Sequence, residues 1–202
     1  MKNREQFSSN ENKADPVLCK ESQDEVLTKD EQKEAQKKLV GIREKVDKIT
    51  DKLGMPIEDS IKETVVMFNA FNIRTSQSCE GHAEEDQKSA PWIMVQPRIP
   101  ENEEWYEDKD TREKVIAQSR TMRKQLTDLL NLFYRERKTD FSDMLGFSEV
   151  AYGFKLQSNG AEVFKGLDVG EAQEKLLAYR KEMKDFTDFL KGIYPKHLFK
   201  RL

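Results

Sequence analysis

The chain has 202 residues, 36% hydrophobic and 36% charged, with a formal net charge of −3. That balance suits exposed helices around a modest core and gives no global electrostatic case for nucleic acid. No apolar run approaches the ~20 residues of a membrane span, no secretory apolar region opens the chain, and two cysteines in unlike surroundings make no disulfide framework; the expected setting is the reducing cytoplasm.

Residues 1–27 are polar and carry no sustained periodicity, so they are expected to form a disordered tail ahead of one α+β domain over 28–202. Thr28-Lys29-Asp30-Glu31 is a capping box. The helix it opens places Ala35, Leu39, Ile42, Val46, Ile49 and Leu53 at alternating spacings of four and three, and Gly54 is expected to stop it. A second helix is expected from Pro56, with Ile57, Ile61, Val65, Phe68 and Phe71 on one face. Ile73-Arg74-Thr75 reads as a short strand leading into a hydroxyl-rich turn, and Trp92 to Gln96 as a buried strand closed by Pro97 and Pro100.

An acidic linker around Trp105 and Tyr106 precedes a long helix over 112–136, with Val115, Met122, Leu126, Leu129 and Phe133 along its stripe. Val150, Tyr152, Phe154 and Leu156 alternate, and Asn159-Gly160 is the pair a type I′ hairpin prefers, so Ala161 to Lys165 is expected to return antiparallel. A last helix over 170–192 carries Ala172, Leu176, Tyr179, Met183, Phe186 and Leu190. The fold class expected is α+β: a small mixed or antiparallel sheet with long amphipathic helices that pack on it or on each other, in a monomer or homodimer.

Thr75-Ser76-Gln77-Ser78-Cys79-Glu80-Gly81-His82 is the one stretch dense in residues that do chemistry. Cys79 and His82 can act as nucleophile and base, or as two ligands of a metal completed by Glu84, Glu85 or Asp86. Thr75, Ser76, Ser78 and the backbone at Gly81 can instead make an anion-binding nest. The plain structural alternative is a connecting turn with a small buried thiol. The candidate catalytic pair is therefore Cys79 and His82. The candidate binding residues are Thr75, Ser76, Ser78, Gly81, Asn69 and Trp92; no metal and no particular cofactor is assigned. Lys191, Lys196, Lys200 and Arg201, with His197, form a basic C-terminus with a weak claim on nucleic acid.

The segments Leu53 to Ile61, Ser78 to His82 and Ala90 to Ile93 resemble a group of small candidate-phylum bacterial proteins without an established activity, which share the Thr-x-x-Ser-Cys-Glu-Gly-His pattern. A fainter similarity is to the wybutosine-synthesis methyltransferases, which modify a tRNA guanosine using S-adenosylmethionine. Glu58, Asn69, Thr75, Ser78, Cys79, Gly81 and Trp92 take the matching places. His82 stands where that family has arginine, Gln77 where it has serine, and Gln96-Pro97-Arg98 where it has Ser-His-Asp. The resemblance implies a small-molecule or nucleotide-binding protein, related to tRNA-modifying enzymes. The alternative is a protein-interaction module that docks through its helical seams and acidic linker.

Overall fold

The computed structural model describes residues 27–51, 53–101 and 104–199. Residues 1–26 of the expected tail, Cys19 among them, and Lys200 and Arg201 lie outside the described residues. The architecture is α+β. Four strands, β1 (Thr75–Cys79), β2 (Trp92–Val95), β3 (Leu145–Val150) and β4 (Gly153–Ser158), form one sheet in the order β1-β2-β4-β3. Every neighbouring pair is antiparallel. The long helices are α1 (Lys29–Val46), α2 (Asp59–Ala70), α3 (Lys109–Tyr134) and α5 (Val169–Leu198), with a single turn α4 (Ala161–Phe164) before the last. Among the described residues, no helix is long and apolar enough to cross a membrane.

Helix α2 is the centre of the molecule. Ile61, Thr64, Val65, Val66, Met67, Phe68 and Ala70 are all buried, because the helix packs against α1, α5 and β1 together. A helix covered on that many sides needs apolar residues beyond a single stripe. Its C-terminus closes in a Schellman pattern: Asn72 takes a left-handed φ of 58°, its N–H reaches Asn69 O, and the Ile73 N–H reaches Phe68 O at 2.8 Å. The bend turns the chain directly into β1.

The capping box at Thr28 and Glu31 is present, with both reciprocal bonds made. The helix it starts ends at Val46, short of the expected residue 53, and Ile49 and Leu53 are 47% and 87% exposed. Asp51 is the reason: its carboxylate accepts the N–H groups of Leu53 and Met55 at 2.8 and 2.9 Å, an alternative to helical bonding that turns the chain at Gly54. Helix α2 correspondingly starts at Asp59 rather than Pro56.

Two further expectations are corrected. The hydroxyl-rich motif is itself strand β1, an edge strand with a burial pattern too mixed to announce itself, and only Glu80-Gly81 forms the turn. The hairpin joins β3 and β4 through Ala151-Tyr152, with Tyr152 at φ 58°, and not through Asn159-Gly160. Ala161 and Phe164, three apart, form a helical turn that packs beside Ala172 and Tyr179; the Phe164 and Tyr179 ring centroids are 5.7 Å apart. Burial of Phe164 at that spacing outcompetes an antiparallel return.

The main core lies between the sheet and the helices, where Phe133, Phe186 and Phe68 meet edge-on at 5.2 and 6.4 Å. A smaller apolar cluster, including Ala83, Ala90 and Leu176, sits under the motif turn.

Candidate functional site

Strand β1 delivers Cys79 beside Trp92, its cross-strand partner on β2. Beyond the turn, His82 pairs with Ser89 through two backbone hydrogen bonds of 2.8 and 2.9 Å, so a loop of six residues is pinned at its base. Gly81 is obligatory in this turn. Its φ is +84°, and a Cβ there would stand 2.8 Å from the Pro91 nitrogen and 2.7 Å from a Leu176 methyl.

The turn is tied to two helices. The Glu80 N–H donates to Glu58 Oε2 at 2.6 Å, and the Glu80 carboxylate accepts the Ser60 hydroxyl at 2.6 Å and the Ser60 N–H at 3.3 Å. Glu80 thus supplies the first turn of α2 with the carboxylate its dipole favours. From α5, Arg180 donates to Glu80 O at 3.0 Å and to Gly81 O at 2.7 Å. The Ser60 hydrogen bond, reinforced by the Arg180 charge, holds the Glu80 carboxyl below its ordinary range.

Glu58, Cys79 and His82 converge, with one potential ligand atom from each lying within 4.8 Å of the others. Glu58 Oε1 is 3.2 Å from His82 Nε2, and the other ring nitrogen is 4.0 Å from Glu84 Oε2. Cys79 Sγ accepts the Gly81 N–H at 3.4 Å. Burial pushes the Cys79 thiol up, and the Glu58 and Glu80 carboxylates add to the rise against the lowering effect of Gly81 and Ser89. A raised thiol pKa disfavours the free thiolate, so the surroundings work against Cys79 as an unliganded nucleophile.

Two clefts flank the cluster. One, of about 390 Å³, is lined by His82, Lys88, Ser89, Trp92, Lys155, Gln157 and Lys165 among others. The second, of about 590 Å³, is lined by Met55, Ile57, Glu58, Thr75, Ser76, Ser78 and Cys79 among others. Trp92 lines both. Its indole is half-buried rather than sealed in the core, and the Lys155 ammonium stands 4.2 Å from the ring centroid.

Thr75, Ser76, Ser78, Cys79, His82 and Trp92 are therefore brought to one region, with Gly81 forming the turn between them. Asn69 is not. It donates to Val65 O at 2.8 Å and lines a separate cleft between α1, α2 and the end of α5. In the basic C-terminus, Lys191 is paired with Glu63 at 3.0 Å, and His197 stacks on Phe71 with burial lowering its pKa. Sequence reasoning assigned no site role to Glu58, Arg180 or the three lysines. Only Glu58, an acid at a helix start within the resembling segment, carried a signal. No family model, curated protein or solved structure matches the chain.

Proposed function

We propose that this protein binds a small anionic ligand of the nucleotide type beside the Thr75–His82 segment. The observation that carries this reading is Trp92, partly exposed between a hydroxyl-lined cleft and one bordered by Lys88, Lys155 and Lys165. An aromatic face suits a base, and neighbouring cations suit phosphate. The rigid mounting of the motif on α2, β2 and α5 supplies the preorganisation that ligand binding requires. The helical seams are less available to a partner: Ala35, Val46, Leu126, Phe133, Met183 and Phe186 are all buried within the fold. That favours a ligand-binding protein over an interaction module. The resemblance to wybutosine-synthesis enzymes adds S-adenosylmethionine to the nucleotides worth testing.

The test is a thermal-shift titration of the full chain with ATP, AMP, S-adenosylmethionine and inorganic phosphate, followed in parallel by tryptophan emission in a Trp105→Phe background. A ligand at ~100 Kd should contribute about 2.7 kcal/mol. For a chain of this size that raises Tm by roughly 5–11 °C. Binding should change Trp92 emission and weaken in Lys155→Ala. If no nucleotide moves either signal at millimolar concentration, the reading is wrong.

A further inference from the structure

We infer that Glu58, Cys79 and His82 form a binding site for a zinc-class divalent ion, with Glu58 Oε1, Cys79 Sγ and His82 Nε2 as ligands and a fourth position open to the clefts. The inference rests on the proposed site but concerns a different ligand, and the two can fail separately. The donor set is one thiol, one imidazole and one carboxylate, a mixture that suits zinc and poorly suits magnesium or calcium. Ligand atoms around a four-coordinate zinc lie about 3.3–3.7 Å apart, as bond lengths of ~2.0–2.3 Å dictate. Glu58 Oε1 and His82 Nε2 already stand 3.2 Å apart, and one donor atom from each of the three residues lies within 4.8 Å of the others.

Of the atoms left over from coordination, the second Glu58 oxygen is already held by the surroundings. Glu58 Oε2 accepts the Glu80 N–H at 2.6 Å, which leaves Oε1 to face the imidazole. His82 Nδ1 faces the Glu84 carboxylate at 4.0 Å, beyond hydrogen-bonding distance, on the side of the ring away from Nε2 and the Glu58 oxygen. The Gly81 N–H points at Cys79 Sγ, as backbone donors do toward coordinated thiolates. Three protein ligands beside open clefts match the arrangement of zinc sites that keep an exchangeable position. Glu58 is twenty-one residues before Cys79, which is why the acidic Glu84, Glu85 and Asp86 look the nearer oxygen donors in the sequence.

The experiment is titration of the metal-free full chain with Co(II) and with Zn(II) alone, no nucleotide being present. Thiolate coordination should give a near-ultraviolet charge-transfer band with Co(II), saturating at one ion per chain and displaced by zinc. Cys79→Ser should abolish the band and Cys19→Ser should leave it intact. Glu58→Gln and His82→Ala should each weaken zinc binding by at least tenfold in chelator competition, on the scale of lost metal-site interactions. Thermal melting of each variant without metal establishes that it is folded; if Cys79→Ser is not, Glu58→Gln and zinc protection of Cys79 from alkylation decide the question. A band retained in Cys79→Ser, a band lost only in Cys19→Ser, or zinc affinity unchanged in Glu58→Gln would each overturn the inference. Zinc binding without any nucleotide response would leave the metal site standing and remove the nucleotide reading.

Discussion

Replacing Gly81 with alanine adds one methyl group at the position where the motif turn is least able to accept it. The residue has φ +84°, a left-handed conformation that costs an L-residue about 1–2 kcal/mol. The new Cβ would meet the Pro91 nitrogen at 2.8 Å, Pro91 Cδ at 2.9 Å and a Leu176 methyl at 2.7 Å. Leu176 can rotate away, but the Pro91 backbone is held by the adjoining strand β2. Overpacking of this kind adds about 1–3 kcal/mol, for a total of about 2–5 kcal/mol. For a chain of this size, that lowers Tm by roughly 4–20 °C. The comparison is Gly192→Ala, where nothing lies within 4 Å of the added atom and the site is interior to α5. There the same methyl should stabilise by about 0.5–1 kcal/mol through helix propensity. Thermal and urea unfolding of both variants, with circular dichroism as the probe, reads the two opposite signs. Equal Tm for Gly81→Ala and the parent would refute the steric argument, and with it the claim that this turn is rigidly imposed on Cys79 and His82.

Glu63 bonds to Arg43 at 2.9 and 2.8 Å and pairs with Lys191 at 3.0 Å, which holds its carboxyl down at about 2 from an ordinary 4.5. A lowered folded-state pKa gives stability that is complete above pH ~4.5 and is lost as the pH falls towards 2. The group is more than a third exposed, so screening reduces the benefit to about 1 kcal/mol. Glu63→Gln should therefore lower the urea midpoint at pH 7, and its gap from the parent should shrink by pH 3; a gap independent of pH would contradict this. The buried hydroxyls of Thr64 and Thr187 are 2.7 Å apart, and Thr187 also donates to Met183 O at 2.8 Å. Thr187→Val should cost about 1–3 kcal/mol by leaving the Thr64 hydroxyl without an acceptor, and adding Thr64→Val should recover most of that loss. A double variant as unstable as the single one would show that packing, not hydrogen bonding, governs the pair.

Local chemistry written in adjacent residues was legible before any tertiary structure. The Thr28–Glu31 capping box, the apolar faces of α2, α3 and α5, and the Trp92 strand all depend on contacts a few residues apart, and all are present. So is the clustering of Thr75, Ser76, Ser78, Cys79 and His82 into one region, since neighbours in sequence cannot lie far apart. What tertiary structure alone decided was everything that needs a distant partner. Thr75–Cys79 is a strand because β2 supplies its hydrogen bonds, not because its own side chains alternate in hydrophobicity. Ala161–Phe164 is helical because the cluster around Tyr179 accepts Phe164. The α1 stripe fails beyond Val46 because the Asp51 turn displaces helix there. Most tellingly, Glu58 reaches the motif across 22 residues to Glu80, and Arg180 across 100. Such contacts leave no periodicity, because their loop-closure cost is met only when the whole core forms, and the side chains that complete the site therefore cannot be read from the residues beside it.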